Sequence, residues 1–196
     1  MLTIEGFKQA LRHAQSEIEA NKDTLTDLDR AIGDGDHGIN MSRGFEAVVA
    51  VLDDDYATLG DLSKKVGMTL MSKVGGAAGP LYGSAFVKAA PKFGDATEAD
   101  FNLVKEALVE AATAIKARGK SEVGQKTMVD VWDPFLSDLN ESDDFDAKLD
   151  QLVGATEDMV ATKGRASYFG ENSRGTVDPG ALSSSIVLKA IMKEVE

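Results

Sequence analysis

At 196 residues with 43% hydrophobic content, the chain can bury one sizeable core and is too short for two, so a single domain spanning residues 1–196 is expected. Asp and Glu total 33 against 21 Lys and Arg, a formal net charge of -12, which removes the attraction to a phosphate backbone that drives nucleic-acid binding. The absence of cysteine removes disulfides, thiolate metal sites and thiol nucleophiles together, and fits a reducing compartment.

Apolar residues at Ile4, Phe7, Leu11, Ala14 and Ile18 step by three and four, the spacing of one stripe along a helix, and a continuation of that helix carries Asp29. The loop "GDGDHG" follows. The same stepping recurs at Met41, Phe45, Val48 and Leu52, and at Leu59, Leu62, Val66 and Leu70. Beyond the loop "VGGAAGP", the segment from Pro80 to Ala90 is helical by its flanks and composition. Phe101, Val104, Leu108, Ala111 and Ile115 form the next stripe, then Met128, Val131, Phe135 and Leu139, then Leu149, Val153, Thr156 and Val160. A last helix runs from Pro179 to Val195, with Asp178 as N-cap and Pro179 at the first helical position. No period-two run is convincing, and no apolar window approaches the roughly 18 residues of a membrane span. The N-terminal "MLTIEGFKQALRHAQ" has no signal-type apolar stretch, so a cytoplasmic protein with no membrane partner is expected.

About eight helices joined by short loops predict an all-α fold, an up-and-down antiparallel bundle or barrel. The acidic runs Asp53 to Asp55 and Ser142 to Asp146 are expected as solvated helix ends. In such a bundle alternate loops share an end. The glycine-bearing loops Gly33 to Gly38, Gly75 to Gly79, Gly119 to Gly124 and Gly170 to Gly180 are therefore expected at one rim.

Three carboxylates, Asp29, Asp34 and Asp36, crowd the first of these loops beside His37. Hard oxygen donors without cysteine suit Mg²⁺ or Ca²⁺ better than zinc. An EF-hand is rejected, because the fifth position counted from Asp34 is Gly38 and the twelfth is Phe45. The plainer alternative is that Asp34 and Asp36 only cap the next helix. In the second loop, Gly75, Gly76 and Gly79 leave backbone amides at a helix start, where an anion is favoured, although small residues also serve tight packing; no Walker A lysine follows. Arg165 and Arg174 near Asp178 have the shape to clamp phosphate oxygens. Met128 and Trp132 could floor an adenine pocket, with core packing the simpler role for Trp132, and His13 lies on a polar helix face.

Taken together, "AIGDGDHGINMSRGF", "VGGAAGPLYG", "GQKTMVDVWDP" and "GRASYFGENSRGTVDPGA" resemble the L subunits of dihydroxyacetone kinases, in order and spacing, over nearly the whole chain. The resemblance implies an antiparallel eight-helix barrel holding ADP or ATP and two Mg²⁺ ions at one end. It implies Asp29, Asp34 and Asp36 as metal ligands. Nucleotide contacts would fall on His37, Gly38, Ile39 and Asn40, on Ala78 and Gly79, on Gly119 and Met128, on Arg165, and on Asp178, Pro179 and Gly180. Two positions depart from the family: Ala78 stands where serine is common, and Gln125 where aspartate is common. Free-standing members keep ADP bound as a cofactor; a phosphohistidine protein, the M subunit, rephosphorylates it, and the phosphoryl group passes to dihydroxyacetone on the K subunit. The alternatives implied are direct ATP use as a kinase subunit, and a nucleotide-sensing adaptor for a transcription regulator. A homo-oligomer stays open.

Overall fold

Thr3 starts the first helix of the protein: its hydroxyl accepts the Gly6 amide at 3.0 Å, one of the donors that a helix start leaves unpaired. The computed structural model describes residues 1–195. Among these the order is β1 (Leu2–Thr3), α1 (Ile4–Ala20), α2 (Lys22–Ile32), α3 (His37–Val49), α4 (Leu59–Lys73), α5 (Ala78–Phe93), β2 (Glu98–Ala99), α6 (Phe101–Gly119), α7 (Val129–Ser137), α8 (Phe145–Ala155), a 3₁₀ segment (Arg165–Ser173) and α9 (Pro179–Lys193).

Eight of the helices form a closed ring. Each of α3 to α8 packs on its successor, and α1 closes the circle by packing on both α9 and α3. The expected antiparallel barrel is the observed architecture. Two small contacts reinforce the closure: β1 pairs antiparallel with β2, and the N-terminal ammonium donates to the Val195 carbonyl at 3.1 Å. The apolar stripes meet inside the ring in one cluster, in which Phe7 stacks on Phe86 with ring centroids 6.3 Å apart. Burying each such side chain contributes about 1.5–3 kcal/mol.

The ninth helix, α2, is where the sequence reading is corrected. Residues 22–32 are not a continuation of α1, because Asn21 interrupts it. The Asn21 Nδ2 group and backbone amide both donate to the Glu17 carbonyl, at 2.8 and 3.0 Å, and the chain turns there. The new helix lies outside the ring, against α3, α9 and the 3₁₀ segment. Its approach to α3 is so close that a Cβ at Gly38 would collide with the Lys22 carbonyl oxygen and stand 2.5 Å from Thr26 Oγ1.

A second correction concerns α8, which spans Phe145–Ala155 and does not reach Val160. Thr156 ends it: the buried hydroxyl donates to the Val153 carbonyl at 2.7 Å and accepts the Asp178 amide at 3.0 Å, tying the end of α8 to the start of α9. Helix α5 begins at Ala78, two residues before the expected start at Pro80. The acidic runs sit at the end of the ring remote from the glycine loops. There Asp53 is exposed and pairs with Arg12, and Asp144 caps α8 through the Ala147 amide.

Candidate functional site

Helices α3, α5, α7 and α9 all start at the same end of the ring, around a cavity of about 440 Å³. The cavity is lined by Asp34, Asp36 and His37 where α3 begins, by Gly75 to Ala78 where α5 begins, by Thr127 and Met128 where α7 begins, and by Asp178 to Gly180 where α9 begins. At the opposite end Thr3, Thr58, Asp100 and Asp144 each cap a helix through a side chain. At the cavity end, α3 and α5 begin without a capping bond from their own N-cap residue. Helix starts concentrate partial positive charge, so this end can accept an anion despite the net charge of -12.

One carboxylate oxygen each from Asp29, Asp34 and Asp36 can be chosen so that all lie within 4.8 Å of one another. The three differ in what else they do. Asp29, buried on the last turn of α2, accepts the amides of Asp36 and His37 through Oδ2 at 2.9 and 3.0 Å. Asp29, not Asp36, therefore satisfies the first donors of α3, and the capping alternative for Asp36 fails, since its side chain makes no cap bond. Asp34 is exposed and pairs through Oδ2 with Arg165 Nε at 3.1 Å. This leaves a hard, all-oxygen donor set with Asp29 Oδ1 and both Asp36 oxygens outside these bonds, which fits Mg²⁺ held by a few carboxylates plus ligand phosphates.

His37 lies deeper. Its Nε2 is 2.8 Å from Ser183 Oγ, which is 2.7 Å from the Tyr82 hydroxyl, which in turn is 3.0 Å from Ser184 Oγ. Burial pushes the His37 pKa down against the opposing pull of Asp29, Asp36 and Asp34, and burial pushes Tyr82 well up, so the network is held neutral. A neutral histidine with one ring nitrogen engaged by a serine is suited to positioning. Asp178 caps α9 through the Ala181 amide at 2.8 Å; burial pushes its carboxyl up to about 7.

Of the residues singled out in the sequence, Asp29, Asp34, Asp36, His37, Asn40, Ala78, Met128, Arg165, Asp178, Pro179 and Gly180 line the cavity. Gly38, Ile39, Gly79 and Gly119 do not. Gly38 serves the approach of α2, and Ile39 points to solvent, 50% exposed. Gly79 lets the first turn of α5 lie against the Val74 carbonyl, and Gly119 abuts Leu81, itself a lining residue. Trp132 belongs to the core, whereas Met128 reaches the cavity. His13 and Arg174 lie outside it; Arg174 donates to the Asp158 carbonyl at 2.6 Å.

Both departures from the family pattern are local. Gln125 Oε1 accepts the Glu122 amide at 2.8 Å and does not reach the cavity, and Ala78 leaves the start of α5 with main-chain donors only. The residues that sequence spacing did not reveal are Tyr82, Lys126, Thr127, Lys163 and Ser183. Lys126 and Thr127 lie in the quoted motif "GQKTMVD" and carry no periodic signal; Tyr82 and Ser183 become visible only when α5 and α9 face each other across the ring.

Residues 31–193 match the DAK2 domain family. The chain belongs to it. Among DAK2 relatives, the ADP-binding subunit of the PTS-dependent dihydroxyacetone kinase of Lactococcus lactis subsp. lactis is 43% identical over 196 residues, covering 100% of both chains. The corresponding subunit of PEP-dependent dihydroxyacetone kinase 1 of Listeria innocua is 46% identical, over 90% of this chain and 89% of the other. That of Escherichia coli is 42% identical over 85% of each. The crystal structure of the dihydroxyacetone kinase of C. freundii, at 24% identity, superposes with a TM-score of 0.74, over 95% of this chain and 34% of that one, and shows the same fold. No helix among the described residues is long and apolar enough to cross a membrane.

Proposed function

We propose that this chain is the ADP-binding subunit of a phosphoenolpyruvate-dependent dihydroxyacetone kinase, one nucleotide-binding domain over residues 1–196 that works in the cytoplasm with K and M partners. The observation that carries the reading is the meeting of three carboxylates with the starts of four helices around one cavity, in a chain that matches such subunits over its full length. In this reading a phosphohistidine on M supplies the phosphoryl group, the nucleotide relays it, and dihydroxyacetone on K receives it.

Asp29, Asp34 and Asp36 would hold two Mg²⁺ ions, which offset negative charge on the phosphates during transfer. The remaining work falls to the chain itself. Main-chain amides at Gly75 to Ala78 and at the start of α9 donate to phosphate oxygens. Arg165 adds an exposed positive charge from the rim. Met128 offers an apolar surface to the base, and the His37–Ser183–Tyr82 network fixes the imidazole at the floor. Transfer is thus organised by position and preset charge, with no side chain forming a covalent intermediate.

The test is whether protein purified without added nucleotide releases ADP on denaturation, and whether Asp34→Ala and Asp36→Ala abolish both Mg²⁺-dependent retention and turnover with K and M. Full turnover in these variants overturns the reading. Many turnovers with K and ATP in the absence of M would assign direct ATP use instead, and capture of a transcription regulator but neither K nor M would assign an adaptor.

A further inference from the structure

Lys126 lines the cavity, yet it is 1% exposed and its ammonium is already committed. Nζ donates to three main-chain carbonyls: Ser173 at 2.6 Å, Met159 at 3.1 Å and Glu157 at 3.4 Å. An ammonium has three hydrogens, so all are engaged here and a phosphate contact would require one of these bonds to break. The backbone gives an independent sign. Lys126 adopts φ 61°, a left-handed conformation that a long side chain seldom takes, and it is held there by Asp130, whose carboxylate accepts the Gly124 and Thr127 amides at 2.5 and 2.8 Å.

The three carbonyls belong to the two ends of one segment. Between Met159 and Ser173 the chain passes Lys163 to Ala166, which line the cavity, and there Arg165 reaches Asp34. Three other polar contacts help to hold this segment: the Thr162 amide donates to the Gln125 carbonyl at 3.2 Å, the Gly175 amide to the Glu157 carbonyl at 2.8 Å, and Arg174 to the Asp158 carbonyl at 2.6 Å. Gly164 and Gly170 within it, and Gly175 just beyond, have positive φ, and a Cβ built on any of them would meet nothing within 4 Å. Its apolar anchorage is a small cluster of Ala161 and Ala166 on Ile32. The Ser173 hydroxyl, which accepts the Ala161 amide at 2.8 Å and donates to the Gly170 carbonyl at 2.6 Å, ties the segment to itself. Lys126 ties both of its ends, through side-chain bonds to three carbonyls, to the loop before α7.

We propose that Lys126 is a positioning residue, which clamps both ends of the 157–173 segment so that Arg165 is presented at the carboxylate cluster, and which does not bind phosphate itself. The role of Arg165 as a phosphate contact rests on the function proposed above; the clamp does not.

Lys126→Met keeps the stem and removes the donors. Hydrogen exchange on nucleotide-free protein should rise at least about tenfold in residues 157–175 and stay unchanged in α3 to α6. Affinity for Mg²⁺·ADP should fall roughly tenfold, as in Arg165→Ala, and the double variant should be no weaker than Arg165→Ala alone. Lys126→Arg, which keeps charge and donors, should recover part of both, and it gives the same exchange readout if Lys126→Met does not fold. Unchanged exchange in the segment, or an additive loss of affinity in the double variant, overturns the proposal, the latter by making Lys126 a direct ligand. A wild-type chain that binds no Mg²⁺·ADP overturns the proposed function and leaves the exchange result to decide the clamp.

Discussion

Arg165 Nε stands 3.1 Å from Asp34 Oδ2, and both side chains are open to water, 72% and 41% exposed. An ion pair this exposed stabilises by less than about 1 kcal/mol, so the guanidinium is a replaceable partner for a carboxylate of the candidate metal site. A cation that takes Asp34 frees Arg165 for another anion nearby. Arg165→Ala is therefore expected to bind Mg²⁺ alone up to about fivefold more tightly and Mg²⁺·ADP roughly tenfold more weakly. Calorimetric titration of both ligands checks this; weakening of both would reduce Arg165 to a support for its loop.

Asp29 and Asp34 belong to the same cluster but differ in what the fold asks of them. Asp29 accepts the amides of Asp36 and His37, whereas Asp34 adds negative charge at an exposed rim. Asp29→Ala should lose about 1–2 kcal/mol of stability in urea unfolding without metal. Asp34→Ala should be neutral or slightly stabilising, because it relieves repulsion among like charges. Both should lose Mg²⁺ binding. Equal stability losses would contradict the separate role given to Asp29.

Asp178 makes stability fall as pH rises. Burial raises its carboxyl to about 7, so between roughly pH 4 and pH 7 the native state holds a proton that the unfolded chain has released. The stabilisation is complete below the unfolded value and is lost as pH passes the folded one. Chemical unfolding of the metal-free, nucleotide-free protein at pH 5 and pH 8 should show this loss, at least about 1 kcal/mol larger in the wild type than in Asp178→Asn, which keeps the acceptor for the Ala181 amide. An identical pH dependence in the two proteins would rule it out.

The ring of helices was legible because its elements carry unbroken apolar stripes, and counting them placed the glycine loops at one rim. What escaped was decided by single polar contacts. Nothing in the stepping of Ile4 to Ile18 announces that Asn21 will compete for the Glu17 carbonyl and send α2 outside the ring. Nor does Thr156, which fits an apolar stripe by spacing, reveal that its hydroxyl ends α8. In the site, the carboxylates stood out because acids crowded among glycines are unusual. As a site residue Gly38 entered only through the family resemblance, and no spacing signal announces that its smallness also serves the contact with Lys22 and Thr26. Lys126 stayed hidden, since a lysine before a helix looks like any surface cation until its three carbonyl partners are brought around it from residues 157–173.

The contrast between the two ends of the ring bears on how the protein responds to its surroundings. One end finishes its helices with its own threonines and aspartates, whatever the solution contains. The other leaves the start of α5 without a side-chain cap and sets three acids side by side, so its polar groups are best satisfied by cations and anions arriving together. Under the function proposed above, nucleotide arriving with its cation would bind only the folded chain and so raise its resistance to unfolding by mass action, making heat tolerance a gauge of nucleotide supply.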